Sequence, residues 1–312
     1  MLERVVTPMN YTFEKLTPEC EPLVTKYSSL RPIYTSEGQF INQYIWSDFY
    51  GTEFAYTENY MFFKMKIKNE YATMMPYCKV EHIEQAFFEI KDYFNNVLNV
   101  PLKMYIVDEL FLNTIMQSER FQTEFSVEEM RDAFDYIYDA EKLRTLSGKS
   151  YHKKKNHLNA FKKAYEGRYE YRTLHCCDTK EISDFHMEWL QNRNVTERLD
   201  AISSEESGVF RLFDHCSLLP FKMGGVYVDG KLSAYSIGSY NPELKCAFIH
   251  IEKGSVDIRG IYNYINQQFI INEFPDAEIV NREDDLGEEG LRKSKLSYRP
   301  IRLEQKFNLF QK

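Results

Sequence analysis

No apolar run in this sequence approaches the roughly 20 residues needed to cross a bilayer. The opening MLERVVTPMNYTFEK also lacks a basic stretch leading into an apolar one. Neither membrane insertion nor secretion is therefore expected, and the reading is of a cytoplasmic protein. Low-complexity tracts and short-period repeats are missing too, which sets aside solenoids and linker-rich chains. None of the six cysteines (Cys20, Cys78, Cys176, Cys177, Cys216, Cys246) stands in a C-x-x-C pair, and the neighbours Cys176 and Cys177 are badly placed to bridge or to share a metal. All six read as reduced, mostly buried thiols, and no metal is expected. No Ser-His-Asp or Cys-His arrangement is evident, so a covalent intermediate is not expected either.

Aromatic residues, by contrast, are plentiful. The 23 Tyr and 23 Phe must supply much of the core and line any concave site. At 312 residues the chain exceeds the usual size of a single core, and two domains are expected, residues 1–146 and 147–312. The net charge of −8 argues against a general nucleic-acid binder. Its distribution says more. Residues Lys142 to Tyr165 hold eight of the 39 basic side chains and no acid, leaving 31 bases against 47 acids elsewhere, so a cationic strip sits on an acidic body.

Patterning in the first half suggests strands over EFAYTENYMFFKMKI with a turn at Glu58-Asn59, over YATMMPYC and over Leu102–Asp108. Ile83, Phe87, Ile90 and Phe94 fall at helical spacing between the last two. In the second half, FDYIYD reads as a strand and SYHKKKNHLNAFKKAY as a helix with Leu158, Phe161 and Tyr165 inward. GGVYVDGKLSAYSIGSY is a hairpin about Asp229-Gly230, a pair suited to a turn with two positive φ angles. KCAFIHIEKG alternates Ala247, Ile249 and Ile251 against Phe248, His250 and Glu252. A helix through Ile258, Ile261, Ile265 and Phe269 follows, then the strand AEIVN. Next comes a helix from Glu288 to Tyr298 with acids first and bases last, and then a strand alternating Ile301, Leu303, Phe307 and Leu309.

The order hairpin, strand, helix, strand, helix, strand resembles the second half of the GNAT acyltransferase fold. LSGKSYHKKKNHLNAF, GGVYVDGKLSAYSIG, HIEKG followed by RGIY, and VNREDDLGEEGLRKSKLSYRP, with weaker features such as QYIW, are similar to the family of the C-terminal catalytic domain of phosphatidylglycerol lysyltransferases, itself related to the Fem-type aminoacyltransferases. The resemblance implies an α+β or α/β chain of two tandem GNAT-like units, each a mixed central sheet flanked by helices. It also implies transfer of an aminoacyl or acyl group from tRNA or coenzyme A to a small acceptor bearing an amine or hydroxyl. The lysyltransferases carry a multi-span membrane domain that this sequence lacks, which leaves the acceptor open.

N-acyl transfer needs a neutral amine, a stabilised oxyanion and a protonated leaving group. In a GNAT layout these meet where two parallel strands splay, here AFIHIEKG and AEIVN. Glu252 is the candidate base or amine-binding carboxylate, against a structural ion pair with Lys253 or Arg259. His250 is a candidate proton carrier, against a packed, satisfied histidine. Tyr298 is a candidate acid for the leaving group, against a packing aromatic. Asn281, Arg282, Glu283, Asp284 and Asp285 lie at the outgoing end of the second strand, one acid expected to hold an ammonium group and the other two to be structural. Glu205 or Glu206 resembles an acidic position that the family places before its hairpin.

Gly254 and Gly260 bracket a helix start suited to pyrophosphate, but KGSVDIRGIY keeps only Arg259-Gly260 of the coenzyme A pattern, which favours a tRNA donor. Lys153, Lys154 and Lys155 are the candidate phosphate contacts of the strip, against a solvated helix face. From other classes, the chain could be a non-catalytic GNAT-fold protein that binds an anionic ligand or charged tRNA, or an RNA binder with a vestigial crevice.

Overall fold

The computed structural model describes residues 10–191 and 199–312. The chain divides into two compact units: Met1–Ile33, Trp46–Ala133 and Glu304–Lys312 form one, and Tyr34–Ile45 with Phe134–Leu303 the other. Leu146, where the sequence put the boundary, lies within the second. The strand FDYIYD just before it pairs into the second unit's sheet, a long-range contact that no local pattern announces.

In the first unit, Tyr60–Ile67 lies antiparallel between Glu53–Tyr56 and Glu70–Met74. The last of these runs parallel to Lys103–Asp108, and Lys306–Gln311 and Phe125–Glu129 continue the sheet. The helix Ile83–Asn96 buries Ile83, Phe87, Ile90 and Phe94 as its periodicity requires. Inside this unit Arg31 and Asp108 form a buried pair at 2.6 Å.

The strands of the second sheet are β1 (Asp135–Asp139), β2 (Tyr169–Leu174), β3 (Lys222–Val228), β4 (Lys231–Asn241), β5 (Cys246–Gly254), β6 (Ile279–Asn281) and β7 (Arg302–Glu304). They lie in the order β7-β1-β6-β5-β4-β3-β2. β3 and β4 are the expected hairpin, with φ of 52° at Asp229 and 77° at Gly230. β5 and β6 are parallel and are joined through the helix Ile261–Glu273. That helix lays Ile261, Ile265 and Phe269 on Val226, Ala247 and Ile249 of the sheet, together with Leu158 and Phe161 of the helix His152–Ala164. Gly260 starts it with φ of 86°, and a Cβ there would lie 2.5 Å from the carbonyl oxygen of His157. Only glycine lets the two helices approach so closely.

Two expectations are corrected. The final alternating segment is not one strand: it divides at Gln305 into β7 of the second sheet and Lys306–Gln311 of the first. Alternation marks extended chain but carries no information about which sheet receives it. The six cysteines are not all reduced, because Cys176 and Cys216 form a disulfide with Cα atoms 5.6 Å apart. Adjacency argued only against a Cys176–Cys177 bridge, and the fold brings together two positions 40 residues apart. Closing a loop of that size removes about 4 kcal/mol of unfolded-chain entropy in the loop-closure account. Among the described residues, no helix is long and apolar enough to cross a membrane.

Candidate active site

The parallel ladder between β5 and β6 is short. It runs Cys246↔Ile279, Ala247↔Val280, Phe248↔Asn281 and then stops. Past Asn281 the chain stays with β1, the Arg282 amide donating to the Tyr136 carbonyl at 3.1 Å and the Tyr136 amide to that of Glu283 at 3.2 Å. β5 meanwhile follows β4, whose register steps from Ile237↔Ile251 to Gly238↔Ile249. His250 is thus the additional residue of a β-bulge, and the two parallel strands part at that point.

The bulge corrects the alternation expected along β5. Ile249 packs in the core with the Ile261–Glu273 helix, yet Glu252 also meets that helix, accepting from Asn266 Nδ2 at 3.4 Å. One extra residue has reset which side chains share a face.

Glu252 is held by Arg282, whose Nη2 donates to Oε1 at 2.9 Å, and both side chains are 12% exposed. It is paired with neither Lys253 nor Arg259. Lys253 reaches Glu205 at 2.6 Å and lies 4.5 Å above the Trp189 ring, while Arg259 is exposed. Burial disfavours the Arg282 charge, but Glu252, Tyr138 and Tyr298 outweigh it and keep the guanidinium protonated. Its Nη1 is buried without a hydrogen-bond partner among the described residues. Of the two acids proposed on the Leu199–Asp214 helix, Glu205 holds Lys253, and burial raises the carboxyl of Glu206.

The acids of the 283–285 segment separate into different roles. Glu283 Oε1 accepts from Asn42 Nδ2 at 3.0 Å and faces His250 Nδ1 at 2.9 Å, and the other imidazole nitrogen lies 2.8 Å from Ser239 Oγ. No hydrogen bond from the described residues takes Glu283 Oε2, and the side chain is 22% exposed. Glu283 also has φ of 54°, a left-handed conformation that costs a non-glycine residue of order 1–3 kcal/mol. Asn281 helps to hold it there: its Oδ1 accepts from the Glu283 amide at 2.6 Å while its Nδ2 donates to Tyr34 O and Asp135 Oδ2. Asn281 is fully buried and acts on the backbone.

Asp285 has both carboxylate oxygens hydrogen-bonded within the protein. Arg292 donates to both of its oxygens at 2.8 Å, and Tyr136 and the Gly287 amide add hydrogen bonds. Burial works against the charge, yet these donors hold the carboxyl down to about 2. Asp284 accepts from the Leu286 amide at 3.2 Å. Beneath the segment the ammonium of Lys295 donates to the carbonyls of Arg282, Glu283 and Asp284, and burial followed by the Arg282 charge pushes it down to about 8. Much of the charge concentrated in VNREDDLGEEGLRKSKLSY serves to fold one tight turn.

Tyr298 is buried, its hydroxyl accepting from Asn263 Nδ2 at 2.5 Å, and burial raises the phenol to about 12. The Arg282 guanidinium lies 5.2 Å from the centre of its ring and the Lys154 ammonium 4.0 Å from it. The basic strip therefore divides. Lys153 and Lys155 are exposed on the His152–Ala164 helix, whereas Lys154 turns inward to Tyr298, and burial followed by Arg282 lowers it to about 8.

Glu252, His250, Tyr298, Asn281, Arg282, Glu283 and Lys154 thus assemble around the splay, while Lys153, Lys155 and Arg259 lie on the exterior. Sequence reasoning missed Asn42, Ser239, Asn263 and Asn266. Only Asn42 carried a signal, standing immediately before the QYIW motif. Among the described residues, no group of three or more His, Cys, Asp or Glu side chains is placed to hold a metal ion.

A curated relative, an uncharacterized protein of Mycoplasmoides gallisepticum, is 29% identical over 204 residues, covering 64% of this chain and 62% of that protein. The chain thus spans less than two thirds of that relative's length. A conserved protein of unknown function from Bacteroides thetaiotaomicron, solved as a crystal structure, superposes with a TM-score of 0.88 at 27% identity, covering 97% of this chain and 100% of that one. L-PGS from Bacillus licheniformis shares the fold with a TM-score of 0.62 at 12% identity, over 93% of this chain and 91% of that one. The two mixed sheets with flanking helices give the tandem GNAT-like fold, which is shared with a tandem GNAT protein from the clavulanic acid biosynthesis pathway and with FemX. The model of the family described as phosphatidylglycerol lysyltransferase, C-terminal, matches residues 29–310, and the chain belongs to that family.

Proposed function

We propose that this chain is an acyltransferase working at the splay of β5 and β6, with Glu283 as the carboxylate that receives the attacking amine. The observation that carries this is the half-committed state of Glu283. Asn42 and His250 fix one oxygen, and the other is left open beside the strand ends, where ligands of open α/β sheets bind. An acceptor amine gives its proton to Oε2 as its nitrogen bonds to the acyl carbon. The bond from that carbon to the donor oxygen or sulfur breaks. Tyr298, a neutral phenol below its value of about 12, gives a proton to the leaving group.

His250 has no nitrogen left for substrate and is a positioning residue. Glu252 is a partner of Arg282, and it orders the crevice rather than abstracting a proton. The donor is an aminoacyl-tRNA in preference to coenzyme A, because the start of the Ile261–Glu273 helix is closely packed against His157. The acceptor is a small molecule bearing an amine or hydroxyl. The alternative, a non-catalytic protein binding an anion or RNA, draws support from the full engagement of Glu252 by Arg282 and Asn266.

The test is consumption of labelled aminoacyl-tRNA or acyl-coenzyme A in the presence of a panel of small amines and alcohols. Transfer should be measurable with one donor class, and Glu283→Gln should lower turnover by about 10²–10⁴-fold while donor affinity is retained. Absence of transfer from both donors, or a Glu283→Gln variant as fast as the parent, overturns the proposal.

A further inference from the structure

The second sheet ends at β2, and the outer edge of that strand is open. Its ladder with β3 runs unbroken from Tyr169↔Val228 to Leu174↔Met223. One step beyond, the Asp229 amide donates to the Arg168 carbonyl at 2.8 Å, so Arg168 and Asp229 are a hydrogen-bonded pair. Alternation along an antiparallel ladder then directs the backbone groups of Glu170, Arg172 and Leu174 to β3 and those of Tyr169, Tyr171 and Thr173 outward. Among the described residues, no hydrogen bond reaches these three outward amides and three outward carbonyls. Exposed edges are commonly blunted by proline, a bulge or a lysine. The sequence Tyr-Glu-Tyr-Arg-Thr-Leu of β2 has none of these. Its only charged residues are Glu170 and Arg172, of opposite sign on either side of Tyr171, 53% and 49% exposed and paired with each other. The strand is also held in place from its other face, where Tyr171 Oη and Thr173 Oγ1 both donate to buried Glu273, at 2.9 and 2.6 Å.

We propose that β2 pairs antiparallel with β2 of a second copy of this chain, about a two-fold axis at Tyr171. In that register Tyr171 meets Tyr171 of the partner subunit in a hydrogen-bonded pair, and Tyr169 meets Thr173 of the partner subunit on either side. All the outward amides and carbonyls of both strands are then used. Glu170 lies directly opposite Arg172 of the partner subunit, twice over, in the non-hydrogen-bonded kind of pair whose side chains are closer. Moving the axis to Glu170 or to Arg172 keeps backbone bonds but sets each of those charges against its own copy, so the charges select the register. The same alternation favours a second copy over a strand of another protein, because two-fold pairing meets each charge with its opposite. Such an interface closes at two subunits. One strand from each subunit is a small contact, which places the association in the micromolar range rather than tighter. Pairing through β2 does not depend on whether the crevice transfers an acyl group.

Sedimentation equilibrium of the full chain, in a concentration series up to about 0.1 mM, should show monomer and dimer in exchange. Salt at about 0.15 M screens the repulsion between the two acidic bodies beyond about 8 Å. Arg172→Glu and Glu170→Arg should each weaken the dimer by about tenfold or more, since either makes both cross-strand pairs like-charged. Mixing the two variants should restore association as a heterodimer, a result that a folding defect in either could not give. Should one single variant fail to fold, Glu170→Arg/Arg172→Glu, which exchanges the charges within one chain, should dimerise like the parent. Hydrogen exchange locates the contact: the amides of Tyr169, Tyr171 and Thr173 should be protected at the top of the concentration series and not at the bottom. A monomer at every concentration, the result expected if the edge takes a strand of another protein or none, overturns the proposal. So does a dimer that both single variants leave intact, or one that leaves those three amides unprotected.

Discussion

Arg282, the first residue past β6, and Glu252 of β5 face each other across 2.9 Å, and each side chain is 12% exposed. Removing either charge leaves the other in a poorly solvated place. A pair of this kind ties β5 to the chain that leaves β6 just where their hydrogen-bonded pairing has ended.

Glu252→Gln should therefore destabilise the protein by about 3–5 kcal/mol, because it strands the buried guanidinium. The double variant Glu252→Gln/Arg282→Gln should recover a good part of that loss, since no unpaired charge then remains. Urea unfolding of the parent, both single variants and the double variant gives the coupling energy directly. Additive losses would mean that the two groups do not compensate each other.

The hairpin at Asp229-Gly230 and the helix periodicity of Ile261, Ile265 and Phe269 were legible because each is written in local spacing, whereas the parting of β5 and β6 was expected only from the resemblance to the GNAT layout. The role of each acid was not. Asp285 and Glu283 stand two residues apart in one acidic run, and only tertiary partners separate them: Arg292 and Tyr136 take up the first, Asn42 and His250 half-occupy the second. Asn42 lies 241 residues from Glu283. The bulge at His250 was equally hidden, since β5 reads as regular alternation until its register against β4 is known. The inward turn of Lys154 within a run of three lysines follows from helix phase, which sequence fixes only once the buried Leu158 and Phe161 are located.

Stability should depend on Asp285 in a particular acid window. Its folded carboxyl sits at about 2 against 3.8 in the open chain, so the folded state favours the ionised form. The contribution is complete above the unfolded value and is lost as pH falls through 4 toward 2. A displacement of this size corresponds to about 2–3 kcal/mol at neutral pH. Asp285→Asn should therefore be less stable than the parent by roughly that amount at pH 6, and the gap should shrink steadily as pH falls to 2. Urea midpoints across that range check it. A gap that does not change with pH would assign the loss to packing rather than to ionisation.

Lys153 and Lys155, exposed on the His152–Ala164 helix, test the donor without disturbing the crevice. If the strip neutralises phosphates of a tRNA acceptor stem, each lysine releases about one counterion, and the slope of log affinity against log salt falls by about 0.9 for each lysine neutralised. Lys153→Gln/Lys155→Gln should thus flatten the slope by about 1.8 and weaken tRNA binding most at low salt. Lys154→Gln should alter the slope far less than the double variant, because its ammonium faces Tyr298 rather than the exterior. Filter binding between about 50 and 200 mM salt, the range over which phosphate binding weakens most steeply, distinguishes the two variants. An unchanged slope in the double variant would reduce the strip to a solvated helix face and withdraw its support for a tRNA donor.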